Sequence, residues 1–127
     1  MNRQILILDD CSNSRENYQE LLELEGFQVL GCSCPKEALH IVSREIPELI
    51  ICDIKMSEMD GFGFIQRLKA RRNASTIPFI FHSAVTEPPT IEKAMKLGAS
   101  AFLLKPCPTE YYIKTVHYQL NSKNSIS

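Results

Sequence analysis

Four short apolar runs in this chain each stop at a polar or charged residue, and that pattern leaves few folds open. Ile5-Leu6-Ile7-Leu8 runs into Asp9-Asp10, and Leu49-Ile50-Ile51-Cys52 runs into Asp53. Phe79-Ile80-Phe81-His82 ends at Ser83, and Ala101-Phe102-Leu103-Leu104 ends at Lys105. Runs this short and this apolar suit strands covered on both faces, as in a parallel sheet. If all four are parallel, their polar ends meet at one edge of the sheet, where open α/β folds carry their sites.

Stretches of helical period separate the runs. Ser12 to Glu25 places Tyr18, Leu21, Leu22 and Glu25 at helical spacing, with Ser12 or Asn13 as the expected cap and Gly26 as the stop. Phe27 to Leu30, with polar Gln28 between Phe27 and Val29, reads as an edge strand. Pro35 opens a second helix whose buried stripe is Ala38, Leu39, Ile41 and Val42, ending before Pro47. A strand follows from Glu48 to Cys52. Asp60-Gly61 is a turn ahead of a third helix lined by Phe62, Ile65 and Leu68, and Asn73 to Pro78 is a loop. Thr90 is the cap expected for a fourth helix carrying Ile91, Ala94, Met95 and Leu97, closed by Gly98. A fifth runs from Thr109 to Leu120 and buries Tyr112, Ile113, Val116 and Leu120. The sum is a flavodoxin-like α/β fold, a doubly wound five-stranded parallel sheet of order 2-1-3-4-5 with five helices on both faces. Residues 1–121 form the domain, and 122–127 are expected to be a flexible polar tail.

Composition removes several function classes. A net charge of -1 gives no basic footprint for nucleic acid, so binding to it by this chain alone is not expected. Apolar runs of about four residues are far too short for a spanning helix or a signal-peptide core, which points to a cytoplasmic chain away from the membrane. Five cysteines, an odd number, fit reduced thiols better than disulfides.

The acidic edge has an electrostatic cost. Two carboxylates ~4 Å apart repel by about 4 kcal/mol at an effective dielectric near 20, against a whole-domain stability of roughly 5–15 kcal/mol. A divalent cation relieves that repulsion. Mg²⁺ suits oxygen ligands and leaves positions for phosphate, with Mn²⁺ as the alternative. Asp53, alone at the end of the most central run, is the best candidate nucleophile for an aspartyl phosphate. Asp9 and Asp10 are the candidate metal ligands, and Lys105 a charge for the transferred group.

Over nearly its full length the chain resembles a response regulator receiver domain. The resemblance rests on "LILDD" at Asp9-Asp10, "LIICDIKMSEMDG" from Asp53 to Gly61, "FIFHSA" at Ser83-Ala84, and "GASAFLLKP" from Gly98 to Pro106. It implies that Asp53 accepts phosphate from a phosphohistidine on a sensor histidine kinase or phosphotransfer protein. It also implies metal ligation by Asp10 and Asp53 directly, by Asp9 through water, and by the backbone carbonyl of Lys55. Ser83, Ala84 and Lys105 are then the phosphate-binding residues, Phe102 the switch aromatic, and Lys105-Pro106 a cis peptide. The switched surface comprises the fourth helix, fifth strand and fifth helix. That surface serves a downstream output protein or domain, or a second copy of the chain in a homodimer. Such a protein catalyses only its own phosphorylation and dephosphorylation.

Some residues depart from the family pattern. Ser57 stands where proline is usual. Lys55 and Val85 flank the phosphoryl position, and neither orients an attacking water, so slow loss of the phosphoryl group is expected. Pro88-Pro89 stiffens the segment ahead of the fourth helix. Phe102 has no hydroxyl to satisfy, so an inward ring is favoured. His82 reads as a packed core residue, and Tyr111 and Tyr118 as an exposed pair on the fifth helix. Three alternatives compete with this reading. One is a receiver cut from a longer regulator. Another is a haloacid-dehalogenase-like phosphatase, whose D-x-D pattern differs from the adjacent Asp9-Asp10. The third is a flavodoxin, whose phosphate loop those aspartates would repel.

Overall fold

The four apolar runs are strands, and a fifth strand joins them at one edge. In the computed structural model, which describes residues 3–125 and the side chains of residues 3–121, β1 (Gln4–Leu8), β2 (Gln28–Cys32), β3 (Leu49–Cys52), β4 (Phe79–Ser83) and β5 (Ala101–Leu104) form one parallel sheet. Its order is β2-β1-β3-β4-β5, the flavodoxin-like order expected. Helices α1 (Ser12–Leu24), α2 (Pro35–Arg44), α3 (Gly61–Lys69), α4 (Pro88–Lys96) and α5 (Thr109–Ser125) follow the strands in turn.

Alternation along each strand divides the interior in two. Ile5, Ile7, Ile51, Ile80 and Leu103 face Leu22 of α1 and Tyr112, Val116 and Leu120 of α5. Leu6, Leu8, Ile50, Cys52, Phe79 and Phe81 face the other way, onto Ala38 and Val42 of α2, Phe64 and Leu68 of α3, and Ala94 of α4. Each fully buried Leu, Ile or Phe contributes about 1.5–3 kcal/mol from removal of apolar surface from water. Register then sets the site. Leu8 pairs with both Cys32 and Cys52, whereas Cys52 pairs with Phe81, so β4 and β5, paired as far as Ser83 and Leu104, run two residues further at the same edge of the sheet.

Several boundaries differ from the sequence reading. β2 spans Gln28–Cys32 instead of Phe27 to Leu30, because Gly31, unfavourable in most strands, leaves the space that the Gln19 side chain occupies. α1 is capped by Cys11 rather than by Ser12 or Asn13; its extended backbone begins the helix without any side-chain hydrogen bond. α4 starts at Pro88 with Glu87 as its cap, so Thr90 lies inside the helix. Pro88-Pro89 is therefore the first turn of the helix, where a missing N–H costs nothing. Met95 is exposed on α4 while Ala94 is buried. Within the expected loop, Ala74 and Ile77 are buried and the backbone folds back in hydrogen-bonded turns, Ala74 N–H donating to Arg71 O. α5 passes Leu120 and continues to Ser125, so the segment read as tail is helical through that residue. Extending a formed helix adds one hydrogen bond per residue fixed. Ile126 and Ser127, the rest of that segment, lie outside the described residues.

Gly26 and Gly98 end α1 and α4 as expected, with φ of 97° and 109° that a side chain would strain. Among the described residues no helix is long and apolar enough to cross a membrane.

Candidate functional site

The backbone ladder carries straight into the site. Asp9 N–H donates to Cys32 O and Asp53 N–H to Leu8 O, each at 3.0 Å, and Lys105 N–H donates to Ser83 O at 2.8 Å. These bonds hold the three residues that close β1, β3 and β5 at the carboxyl edge. Asp53 is then flanked by a loop that returns over it. Gly61 N–H donates to Ile54 O at 2.7 Å, and a Cβ at Gly61 would collide with the Asp53 carbonyl and come within 2.9 Å of Phe81. Only glycine allows that approach. In the same loop Glu58 adopts a left-handed φ of 69°, a strained conformation for a residue with a side chain.

Lys105 joins two of the three predicted aspartates. Its ammonium donates to Asp9 Oδ2 at 2.6 Å and to Asp53 Oδ2 at 3.0 Å. Burial alone lowers the Lys105 pKa, but hydrogen bonds to Asp9 and Asp53, with their charges, outweigh it and hold the ammonium above its ordinary value. The lysine is therefore a fixed positive charge between the carboxylates. Asp9 is buried, its Oδ1 accepting from Cys11 N–H at 3.0 Å and its carbonyl from the Arg15 guanidinium at 2.8 Å. Asp53 is half-buried, and its Oδ1 accepts from Ile54 N–H at 2.7 Å.

The Lys105 ammonium pairs with Asp9 and Asp53 and not with Asp10. Asp10 is exposed, and its Oδ2 accepts from Ser57 N–H at 3.3 Å. Ser57, which stands where proline is usual in the family, thus anchors that loop to Asp10 through an N–H that proline would lack. Among the described residues, no three Asp, Glu, His or Cys side chains converge into a ready metal cage. The donor set nevertheless suits a hard divalent cation, since the carboxylates of Asp9, Asp10 and Asp53 close or follow neighbouring strands and every donor is oxygen.

The open side of Asp53 is a concavity of about 280 Å³ lined by Asp53, Lys55, Ser83, Ala84 and Val85, with Thr86 and Glu87 at its rim. Ser83 is buried, and its Oγ accepts from Val85 N–H at 3.3 Å. Lys55 and Ala84 are exposed. Phe102 is half-buried, its ring 6.2 Å from that of Phe81. The Lys105-Pro106 peptide is cis. Tyr111 and Tyr118 are exposed on α5, and His82 is buried, as read from sequence. Arg15 went unremarked in the sequence; its one signal is a position one turn inside α1, facing the end of β1.

An open parallel sheet whose carboxyl edge gathers acids, a hydroxyl and a lysine defines a doubly wound α/β protein with a site suited to phosphoryl groups. The comparisons with known proteins narrow that class. A model of the response regulator receiver domain matches residues 5–117. SaeR, a response regulator of Staphylococcus epidermidis, is 35% identical over 112 residues, covering 87% of this chain and 48% of that protein. An uncharacterized 14.6 kDa protein of Leptolyngbya boryana is 35% identical over 102 residues, 80% of this chain and 78% of that one. A CheY-like receiver domain from Methanospirillum hungatei superposes with a TM-score of 0.93 over 100% of both chains at 21% identity, a likeness of fold. The chain belongs to the response regulator receiver domain family and so to two-component signal transduction. It spans just under half the length of SaeR.

Proposed function

We propose that this receiver accepts a phosphoryl group on Asp53 from a phosphohistidine of a sensor histidine kinase or phosphotransfer protein, and signals through the surface of α4, β5 and α5. The observation that carries the reading is the Lys105 ammonium held between Asp9 and Asp53 beside the open concavity. An Asp53 oxygen attacks phosphorus as the P–N bond breaks, and the imidazole leaves with the bonding pair and takes up a proton. Such a transfer depends on positioning and charge neutralisation more than on acid–base chemistry. Lys105, Ser83 and the Ala84 N–H are placed to take the phosphoryl oxygens. Asp9, Asp10, Asp53 and the Lys55 carbonyl are the residues to hold Mg²⁺, or Mn²⁺ in its place. When bound, that ion neutralises charge on the transferred group.

Ser83 adjoins the concavity and Phe102 lies against Phe81, so a shift of the hydroxyl toward phosphate frees room for the ring. The readout is a two-state bias of the surface that Leu104 and Tyr111 expose. The partner is an output protein, an output domain on the same polypeptide, or a second copy of the chain. Lys55 and Val85 border the site without a carboxylate or amide to orient water, which supports a long-lived phosphoryl group.

Incubation with acetyl phosphate and Mg²⁺, followed by intact mass, tests the reading. Wild type is expected to gain one phosphoryl group and lose it slowly, and Asp53→Ala to gain none. Equal labelling of the variant overturns the assignment of Asp53, and rapid loss from wild type overturns the long lifetime.

A further inference from the structure

Beneath the acid pocket, on the side of α1 and α5, the core is built from aromatic rings with polar atoms. His82 at the end of β4, Tyr18 on α1 and Tyr112 on α5 pack as a closed trio. Ring centroids lie 4.5 Å apart for Tyr18 and His82, 4.6 Å for Tyr18 and Tyr112, and 5.1 Å for His82 and Tyr112. His82 is 3% exposed and Tyr112 is fully buried. His82 Nε2 and the Tyr112 hydroxyl have no hydrogen-bond partner, and neither does the buried Ser14 Oγ. Ser14 lies one turn before Tyr18 on the same face of α1, the face that Tyr18 turns toward His82 and Tyr112.

Each such atom left bare costs about 1–3 kcal/mol. Native interiors answer that cost with ordered water making two to four hydrogen bonds. The junction also borders the site. His82 precedes Ser83 in β4. Burial pushes the His82 imidazole down to about 4, with the Lys105 charge adding to this and Asp9 opposing it. Burial pushes the Tyr112 hydroxyl up, and Tyr18, Cys107 and Asp9 raise it further. Asp9 is thus a charged neighbour of both rings.

We propose that Ser14, His82 and Tyr112 hold an internal water beneath Asp9, and that His82 and Tyr112 thereby act as positioning residues for phosphoryl transfer at Asp53. The inference rests on the reading of Asp53 as phosphoacceptor. Asp9 spends Oδ2 on Lys105 and Oδ1 on Cys11 N–H, and a carboxylate has about four acceptor sites, so capacity remains. When the ammonium turns from Asp9 toward a phosphoryl oxygen, Asp9 loses its shortest charged partner. A water anchored by Tyr112 and His82 keeps that carboxylate hydrogen-bonded and in place.

Tyr112→Phe and Ser14→Ala each remove one polar group and keep the packing shape. The first measurement is made on unphosphorylated protein, where NMR water cross-relaxation is expected to place a long-lived water against the Tyr112 ring in wild type and not in Tyr112→Phe. The second is the rate of Asp53 labelling by acetyl phosphate with Mg²⁺. Both variants are expected to be about three- to tenfold slower, the factor one net hydrogen bond carries, and Ser14→Thr to restore the rate. If wild type takes no label, the phosphoacceptor reading fails while the water measurement still decides the buried site. Absence of the water, or variants labelled at the wild-type rate beside a reactive wild type, overturns the inference.

Discussion

The two faces of the sheet are finished differently, and the contrast separates what holds the molecule together from what lets it respond. Toward α2, α3 and α4 the buried aromatics are phenylalanines. Phe64 and Phe79 lie 6.0 Å apart and Phe79 and Phe81 4.9 Å, surrounded by aliphatic side chains and the Cys52 thiol. Toward α1 and α5 the corresponding layer is Tyr18, His82 and Tyr112, where the unpaired polar atoms collect. A hydrocarbon layer has one good packing. A polar layer can exchange hydrogen-bond partners at small cost, provided each partner is replaced. Both layers touch the acid pocket, through Phe81 beneath Gly61 on one side and His82 beside Ser83 on the other.

The severest break in this contrast is made on the phenylalanine side. Phe64 is fully buried between α3 and the sheet, and Phe64→Ala is expected to cost about 3–5 kcal/mol. That is a large share of a stability of roughly 5–15 kcal/mol. Urea unfolding measures it, and a cost below about 1 kcal/mol would show that this face is not the close-packed one.

A smaller effect belongs to the polar side and appears only with pH. His82, lowered to about 4 by burial, stays neutral in the folded chain while the unfolded chain binds a proton near its ordinary value of 6.5. The stabilising effect of the neutral form is full above about pH 6.5 and is lost as pH falls toward 4, because only the unfolded state gains the proton. Between about pH 6.5 and 5 the loss is roughly 1.5 kcal/mol. Unfolding midpoints across that window are expected to slope in wild type and to flatten in His82→Leu. Parallel slopes would remove His82 from the pH dependence.

How much of this contrast the sequence carries depends on the range of the interactions. The strands were legible because each apolar run is continuous and ends at a polar residue, and the sheet order followed from the polar Gln28 in β2. Asp9, Asp53 and Lys105 were legible as a trio because parallel strands bring their carboxyl ends to one edge of the sheet. The hydrogen bond to Asp10 from Ser57 N–H, 47 positions away, was not legible, because no local pattern announces that contact. The junction of Ser14, Tyr18, His82 and Tyr112 is hidden for the same reason. Each residue fits an ordinary core position in its own element, and only the packing of α1 and α5 across β4 reveals four polar side chains together. Caps at Cys11 and Glu87 escaped because backbone direction alone begins those helices.

The caps give the finest test of the contrast, because the helices they begin lie on opposite faces. Asp60 starts α3 with its Oδ1 accepting from Gly63 N–H at 2.9 Å, a bond that ties the helix to the loop closing over Asp53. Cys11 starts α1 with suitable backbone angles, φ -86° and ψ 108°, and no side-chain bond at all. Asp60→Ala is therefore expected to lower stability by about 1 kcal/mol, and Cys11→Ser to raise it by about 0.5–1 kcal/mol through a hydroxyl that can reach the amide of Asn13 or Ser14. Thermal unfolding of the two variants beside wild type reads both shifts. Opposite signs mean that the helix on the polar face is held less firmly at its start than the helix on the phenylalanine face. A loss of stability in Cys11→Ser would instead mean that the thiol already does the work of a cap, and the two faces would be anchored alike.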